Sequence, residues 1–130
     1  MIGHLTATLE KIDIPADWIG IRAMQEVSSR RAMRDGYPQR NERGLNQGAM
    51  VEVLAAGQFG YGATNQLTDE GLQAAAKRAY AQAIAASKWA IHQFTQAVRP
   101  PVTGSFTSPY GQSFDGLGVG EVNDLLRQLC

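Results

Sequence analysis

The amino-acid sequence predicts an α+β fold, in which an antiparallel β-sheet of about four strands carries one long helix on one face. Two observations lead to this prediction: apolar and polar residues alternate through the first half of the chain, and apolar residues then recur every three or four positions. A chain of 130 residues suffices for one hydrophobic core, and we also expect short helices near both ends.

The chain opens with a segment whose apolar residues are three or four positions apart, which predicts a short amphipathic helix. These residues are Ile2, Leu5, Leu9 and Ile12. Pro15 ends the pattern, because proline has no backbone N–H and its ring clashes with a preceding helical turn. Alternation begins at Trp18 and continues to Val27, so we expect the first strand there.

Three further strand segments complete the expected sheet. Residues 30–39 are polar and alternate weakly around Asp35-Gly36, a dipeptide that favours tight turns, so we expect an edge region there. Alternation resumes from Gly48 to Ala55, turns at Ala56-Gly57, and continues from Gln58 to Ala63. The last two segments therefore form a predicted hairpin.

A long helix is predicted after the hairpin. Thr68 is a suitable N-cap, and Asp69 and Glu70 place negative charge in the first turn, where it favours the helix dipole. Helical spacing of apolar residues continues to Val98, and the prolines that follow forbid any continuation. The predicted helix covers about residues 69–98, and its many alanines suit close packing against a sheet.

The domain organisation follows from a change in composition. We expect residues 1–99 to form the α+β domain, and residues 100–130 to form an irregular connector, rich in Pro, Gly and Ser, and the start of a following helix. The apolar residues of that helix are Val119, Val122, Leu125, Leu126 and Leu129. No capping residue follows them, so we expect the chain to stop within an element as part of a longer protein.

Composition excludes several classes of protein. The 12 basic and 12 acidic side chains cancel, so no global field attracts nucleic acid or an anionic membrane. The single cysteine, Cys130, cannot form an internal disulfide, which suits a reducing compartment. The sequence has no apolar run long enough to span a membrane. We therefore predict a cytoplasmic protein without a membrane partner.

Three glycines in the hairpin have two possible interpretations. Gly57, Gly60 and Gly62 follow the pattern G-x-x-G-x-G, which invites comparison with phosphate-binding loops. Those loops require a lysine after the glycines, or a helix that begins directly at them, and this sequence has neither. We favour the alternative, in which Gly57 supplies positive φ in a turn and the other two permit close approach of a backbone.

The same hairpin is similar to part of a known family. Residues 51–54, the glycines and the helix start at 67–70 resemble the N-terminal domain of the TldD/PmbA family, also called modulators of DNA gyrase. The motif residues, to which we assign a structural role, are Gly57, Phe59, Gly60, Tyr61, Thr64 and Asn65. The sequence departs from the family pattern at Glu52, where arginine is usual, and at Phe59, where tryptophan is usual.

The resemblance implies a zinc metallopeptidase, whose members bind zinc through both histidines of an H-E-x-x-x-H helix and activate water with its glutamate. This chain has only His4 and His92, and neither precedes a glutamate. We therefore expect no catalytic, cofactor-binding or metal-ligating residue here, and no activity of the chain alone. The implied role is to help shape a substrate channel or a subunit contact. The implied partners are a C-terminal catalytic domain, a peptide substrate and an identical or related subunit.

An arginine cluster in and around the edge region supports an alternative function. A stand-alone module could use this hairpin to bind a protein or nucleic acid. The cluster comprises Arg22, Arg30, Arg31, Arg34, Arg40 and Arg43. Nucleic acid is the less favoured partner, because Tyr37 is the one aromatic residue among these arginines that could stack on bases. His92 lies on the predicted helix, and we interpret it as a surface residue rather than a ligand.

Overall fold

The structure is a computed structural model that describes residues 2–130, and it confirms the predicted α+β class. The elements, in chain order, are helix α1 (Ile2–Leu9), strands β1 (Trp18–Arg34), β2 (Tyr37–Ala55) and β3 (Gln58–Thr64), helix α2 (Asp69–Ser87), two 3₁₀ turns (Gln96–Val98 and Phe114–Gly116) and helix α3 (Val119–Leu129). Within the described part of the chain, no helix is both long enough and apolar enough to cross a bilayer.

Contacts divide the chain into two compact units, and neither is a continuous stretch of sequence. The first unit contains the residues up to Gln25 together with Asn46–Pro101. The second unit contains Glu26–Leu45 together with Val102–Cys130. Strands β1 and β2 therefore contribute residues to both units, whereas β3 and α2 belong wholly to the first. The predicted boundary between residues 99 and 100 stays a prediction.

The sheet has three strands in the order β1-β2-β3, joined by two tight hairpin turns. Asp35 and Gly36 form the first turn with φ of 51° and 75°, and Ala56 and Gly57 form the second with φ of 49° and 71°. Positive φ at both central residues is the geometry that matches the twist of the flanking strands. Two-residue turns make both neighbouring pairs antiparallel, as predicted.

The prediction of four strands was wrong in number. The segment expected at 18–27 and the first half of the edge region expected at 30–39 form one continuous strand, β1. The rest of that edge region forms the turn and the start of β2. The polar residues Ser28 and Ser29 lie between the two expected segments. They do not interrupt the strand, because its hydrogen bonds come from the backbone and both residues are exposed.

Helix α2 begins where the sequence predicts. The backbone N–H of Gly71 donates to the hydroxyl of Thr68 at 3.2 Å, so the N-cap satisfies one of the free amides of the first turn. Asp69 accepts hydrogen bonds from Thr8 and Lys11, which fixes helix α1 against this end of α2. The Asp69 carboxylate, in the first turn of α2, thus also holds helix α1.

The predicted end of the long helix at Val98 was wrong, because α2 ends at Ser87. Beyond it the chain turns toward the β2–β3 hairpin, where the N–H of Phe94 donates to Gly57 O at 2.8 Å. The Phe94 ring then packs on Phe59, with 5.5 Å between ring centroids. A continuing helix would forfeit both contacts, so tertiary packing overrides the apolar spacing that suggested a helix.

The core of the first unit lies between α2 and the sheet. Small side chains of the helix meet the inward-facing residues of β2, and all are buried. The core residues are Ala49, Val51, Val53, Ala55, Leu72, Ala75, Ala76, Ala79 and Ala83. Full burial of each Val or Leu contributes about 1.5–3 kcal/mol before the entropy of ordering is counted. The alanines contribute less area but let the helix backbone lie close to the strands.

The second unit is largely exposed. In helix α3, Glu121 accepts a hydrogen bond from the N–H of Gly118 at 2.7 Å, which caps the first turn. The helix leaves Leu125 56% and Leu129 75% exposed. Within the same unit the Cys130 thiol lies 3.8 Å from Met33 O. The predicted terminal helix is therefore present, and part of its apolar stripe remains open to solvent.

Candidate functional site

Two of the three motif glycines, Gly60 and Gly62, lie directly against the backbone of helix α2. A Cβ atom at Gly60 would be 1.9 Å from Ala79 O, and one at Gly62 would be 2.1 Å from Ala75 O. Both positions therefore exclude any side chain. Helix α2 occupies this face of β3, so the face leaves no space for a phosphate group.

Gly57 has a different structural requirement. Its φ of +71° belongs to the tight turn, and an added Cβ would also lie 3.0 Å from the Gln93 Cβ. The turn is thus covered by the segment that follows α2, which we call the strap and define as residues 88–99. The carbonyl of Gly57 accepts from Phe94 in that segment.

The opposite face of the hairpin carries the polar and aromatic side chains. Glu52 on β2 is the register partner of Tyr61 on β3, and Leu54 pairs with Phe59. Phe59 has Trp18 edge-on, with 6.3 Å between ring centroids, in addition to its contact with Phe94. The motif aromatics therefore face away from the core helix and form the floor of a surface site.

Arg99, the last residue of the strap, completes this site. Its Nη2 donates to Glu52 Oε1 at 2.7 Å and its Nε donates to Oε2 at 3.2 Å, which is a bidentate pair. The guanidinium carbon also lies 4.9 Å from the centroid of the Phe59 ring. The Glu52 side chain is only 15% exposed and that of Arg99 is 41% exposed. The carboxylate is thus built into the sheet, while the cation comes from outside it.

Electrostatics keep the carboxyl group charged and the phenol neutral. The hydrogen bond from Arg99 lowers the pKa of Glu52, a hydrogen bond from Tyr61 adds to this, and burial opposes both. Burial raises the pKa of Tyr61, and its hydrogen bond to Glu52 raises it further. A carboxylate held ionised in this way is a weak proton acceptor, so the arrangement suits cation binding better than acid–base catalysis.

Two open grooves adjoin the site formed by Glu52, Phe59, Tyr61 and Arg99 in the first unit. One, of about 510 Å³, is lined by Trp18, Gly20, Arg22 and Met50 together with Glu52 and Tyr61. The other, of about 1020 Å³, is lined in part by Met24, Ala63, Asn65 and Arg78. The lining of both grooves combines apolar side chains with charged ones.

Thr64 ends strand β3, and Asn65 follows it. Thr64 accepts a hydrogen bond from the N–H of Gln66 at 3.0 Å, which is a side-chain-to-backbone turn. Asn65 is exposed and lines the larger groove. The structure therefore collects the six predicted motif residues on one hairpin, with Gly57 at its turn and Asn65 just beyond its end.

The two histidines lie in unrelated surroundings. His4 Nε2 lies 2.8 Å from Leu67 O, beside the start of α2. The ring of His92 is 4.8 Å from the Phe94 ring, and its backbone carbonyl accepts from Gln58 Nε2. Across residues 2–130, no group of three or more His, Cys, Asp or Glu side chains could hold a metal ion. The described residues do not fit the zinc ion that the resemblance implies, and we derive no chemical step through it.

The arginines of the cluster are distributed along mostly exposed positions of strands β1 and β2. Arg40 forms an ion pair with Glu42 at 3.1 Å, and Arg34 is 3.7 Å from Asp35. These pairs neutralise part of the local positive charge. The alternative function, a stand-alone module that binds a protein or nucleic acid, stays a prediction.

Sequence reasoning did not find the importance of Arg99. Arg99 lies just beyond the predicted helix of residues 69–98, and it pairs with a carboxylate 47 residues earlier. The signal was Glu52 itself: a charged residue within an otherwise buried strand must find a partner, since an unpaired buried charge is costly.

A three-stranded antiparallel sheet, with an alanine-rich helix packed on the glycines of its third strand, defines an α+β domain. Residues 20–83 match the family model for PmbA/TldA metallopeptidase domain 1. Residues 20–83 are thus a first domain of the PmbA/TldD type, as the hairpin motif indicated. No curated protein and no solved structure matches the chain.

Proposed function

We propose that this chain is the non-catalytic first domain of a PmbA/TldD-type zinc metallopeptidase and acts in peptide maturation or proteolysis. In this proposal a catalytic domain supplies the zinc and the hydrolysis. The first domain helps to shape the substrate channel or the contact with an identical or related subunit. The observation that carries the proposal is the match of residues 20–83 to the first domain of a metallopeptidase family.

The site geometry supports a binding role. The outer face of the hairpin offers aromatic rings, an ionised carboxylate and two adjoining grooves, all held by a sheet whose other face is fixed by α2. Rigid elements position such contacts better than loops do. A surface of this kind can orient an extended peptide toward a reactive centre supplied by another domain. The proposal includes a cytoplasmic location, to which the single cysteine is suited.

The proposal is tested by adding the chain to a PmbA/TldD-type catalytic domain and measuring hydrolysis of an unfolded peptide. We expect the chain alone to hydrolyse nothing and to retain less than stoichiometric zinc after dialysis. We expect the mixture to be faster than the catalytic domain alone. The matched control is Gly60→Ala, which should displace helix α2 and remove the stimulation.

Two results would contradict the proposal. One is peptide hydrolysis by the purified chain with one tightly held zinc per molecule. The other is a rate for the mixture that equals that of the catalytic domain alone while the chain is natively folded by circular dichroism.

A further inference from the structure

The Glu52 site has the properties of a recognition site for a cationic side chain. The carboxylate stands on a regular strand, it is largely buried, and its position is fixed by the register of β2 against β3. Around it are the face of Phe59 and the hydroxyl of Tyr61. These three groups belong to the hairpin of β2 and β3.

The shape of the site selects a guanidinium group. A carboxylate accepts two parallel hydrogen bonds from the planar fork of arginine, as Arg99 shows with contacts of 2.7 and 3.2 Å. The Phe59 ring attracts the positive charge through its negative face. A lysine ammonium would satisfy the charge but not the fork, because it is a point charge. The site is therefore matched to arginine.

The occupant of the site is carried by a weakly held segment. Every residue of the strap is exposed, and Trp89 is 87% exposed. Besides Arg99, the strap is held by the packing of the Phe94 ring on Phe59 and by three hydrogen bonds. These are the bond of Phe94 N–H to Gly57 O, of Gln58 to the His92 carbonyl, and of Gln96 to the Asp17 carbonyl. Few buried apolar contacts oppose its release, so the strap can detach while the core stays folded.

We propose that the Glu52–Phe59–Tyr61 site binds an arginine side chain of an extended peptide segment, and that Arg99 is its intramolecular occupant. The incoming arginine displaces Arg99, and the adjoining groove along Trp18 and Met50 accepts the residues next to it. The inference goes beyond the accessory role proposed above and does not depend on a catalytic domain.

The test measures binding of N-acetyl-arginine amide, with N-acetyl-citrulline amide as the neutral control of nearly equal shape. A Trp89→Phe background leaves Trp18, which touches Phe59, as the fluorescent reporter. In this background we expect Arg99→Ala to bind the arginine compound about tenfold more tightly than the parent does. A tenfold gain corresponds to a site that is free of Arg99 for about a tenth of the time.

Adding Glu52→Gln to Arg99→Ala should weaken arginine binding at least about tenfold, because the fork loses its ionised acceptor. The citrulline compound should bind the Arg99→Ala variant at least about tenfold more weakly than the arginine compound does. Circular dichroism checks the fold of each variant, and Arg99→Gln replaces Arg99→Ala in the same comparison if the alanine variant is not native.

Two outcomes would overturn the inference. Equal binding of the arginine and citrulline compounds would show that the site does not recognise the cation. Equal binding of the arginine compound by the parent and by the variant without Arg99 would show that Arg99 does not occupy a site open to other arginines.

Discussion

Replacing Gly60 by alanine tests whether helix α2 rests on the hairpin as closely as the structure shows. The new Cβ would lie 1.9 Å from Ala79 O and 2.8 Å from Ala83 N, whereas ordinary contact begins at 3.4 Å. The helix must therefore retreat by about 1.5 Å, since strand and helix backbones meet directly. A gap of 0.5–1 Å already forfeits about a quarter to a half of the dispersion energy across a contact.

We expect Gly60→Ala to lower the free energy of unfolding by about 3 kcal/mol, the upper end of the usual range for overpacked cores, because backbone atoms yield less than side chains do. Urea denaturation followed by circular dichroism measures the change. The control is Gly3→Ala in α1, where no atom beyond the neighbouring residues and the helix's own backbone lies within 4 Å of the new Cβ. That variant should be neutral or up to about 1 kcal/mol more stable, since alanine favours a helix.

A double variant separates this explanation from ordinary side-chain crowding. The closest atom is the carbonyl oxygen of Ala79, so removing the methyl group of that residue cannot relieve the clash. Gly60→Ala/Ala79→Gly should therefore be no more stable than Gly60→Ala. Recovery of stability in the double variant, or a loss of less than about 1 kcal/mol in the single one, would refute the proposed backbone contact.

Three further predictions follow from other contacts. Gln82→Ala frees the N–H of Tyr61, which now donates to Gln82 Oε1 at 2.6 Å, and should cost about 1 kcal/mol in urea denaturation. Lys77→Ala, an exposed change on the same helix, is the control and should cost less than about 0.5 kcal/mol. The pKa of Glu52 is lowered on folding from its ordinary value of 4.5. The ionised Glu52 carboxylate therefore stabilises the fold above pH 4.5, and this stabilisation is lost as the pH falls through the lowered pKa. Glu52→Gln should accordingly reduce the loss of stability on acidification below about pH 4.5, and an unchanged acid limb would contradict the assigned pairing. Leu129→Glu should weaken any concentration-dependent association seen by sedimentation, because this exposed leucine extends the apolar stripe of α3. A wild-type chain that sediments as a strict monomer at high concentration would remove the basis for that expectation.

Local chemistry explains why much of the fold could be predicted. Both hairpin turns, the N-cap at Thr68 and the terminal helix depend on neighbouring residues, and the structure contains each of them. The close approach of a backbone to Gly60 could also be anticipated, because a glycine within a strand often marks such a contact.

The errors arose where distant residues decide the outcome. The spacing of Ile91, Phe94 and Val98 is helical, but Phe94 gains more by packing on a hairpin far away in the sequence. The exposed ribbon of β1 and β2 has no buried face along much of its length, so it lacks the alternation that identifies a strand. The pair of Glu52 and Arg99 had no local signal beyond an isolated charge.

The division of β1 and β2 between two discontinuous units has a consequence for the order of folding. Strand β3 and helix α2 contact residues near them in sequence, so their loops are short and cost little entropy to close. The part of β1 before residue 26 can pack in the first unit only after the loop formed by residues 26–45 has been closed. We therefore expect the segment 49–87 to form the folding nucleus, with φ-values near 0.5–0.8 for Ala79→Gly. The φ-value for Ile21→Val on β1 should lie near 0–0.3, and a reversed order of these two values would contradict this sequence of events.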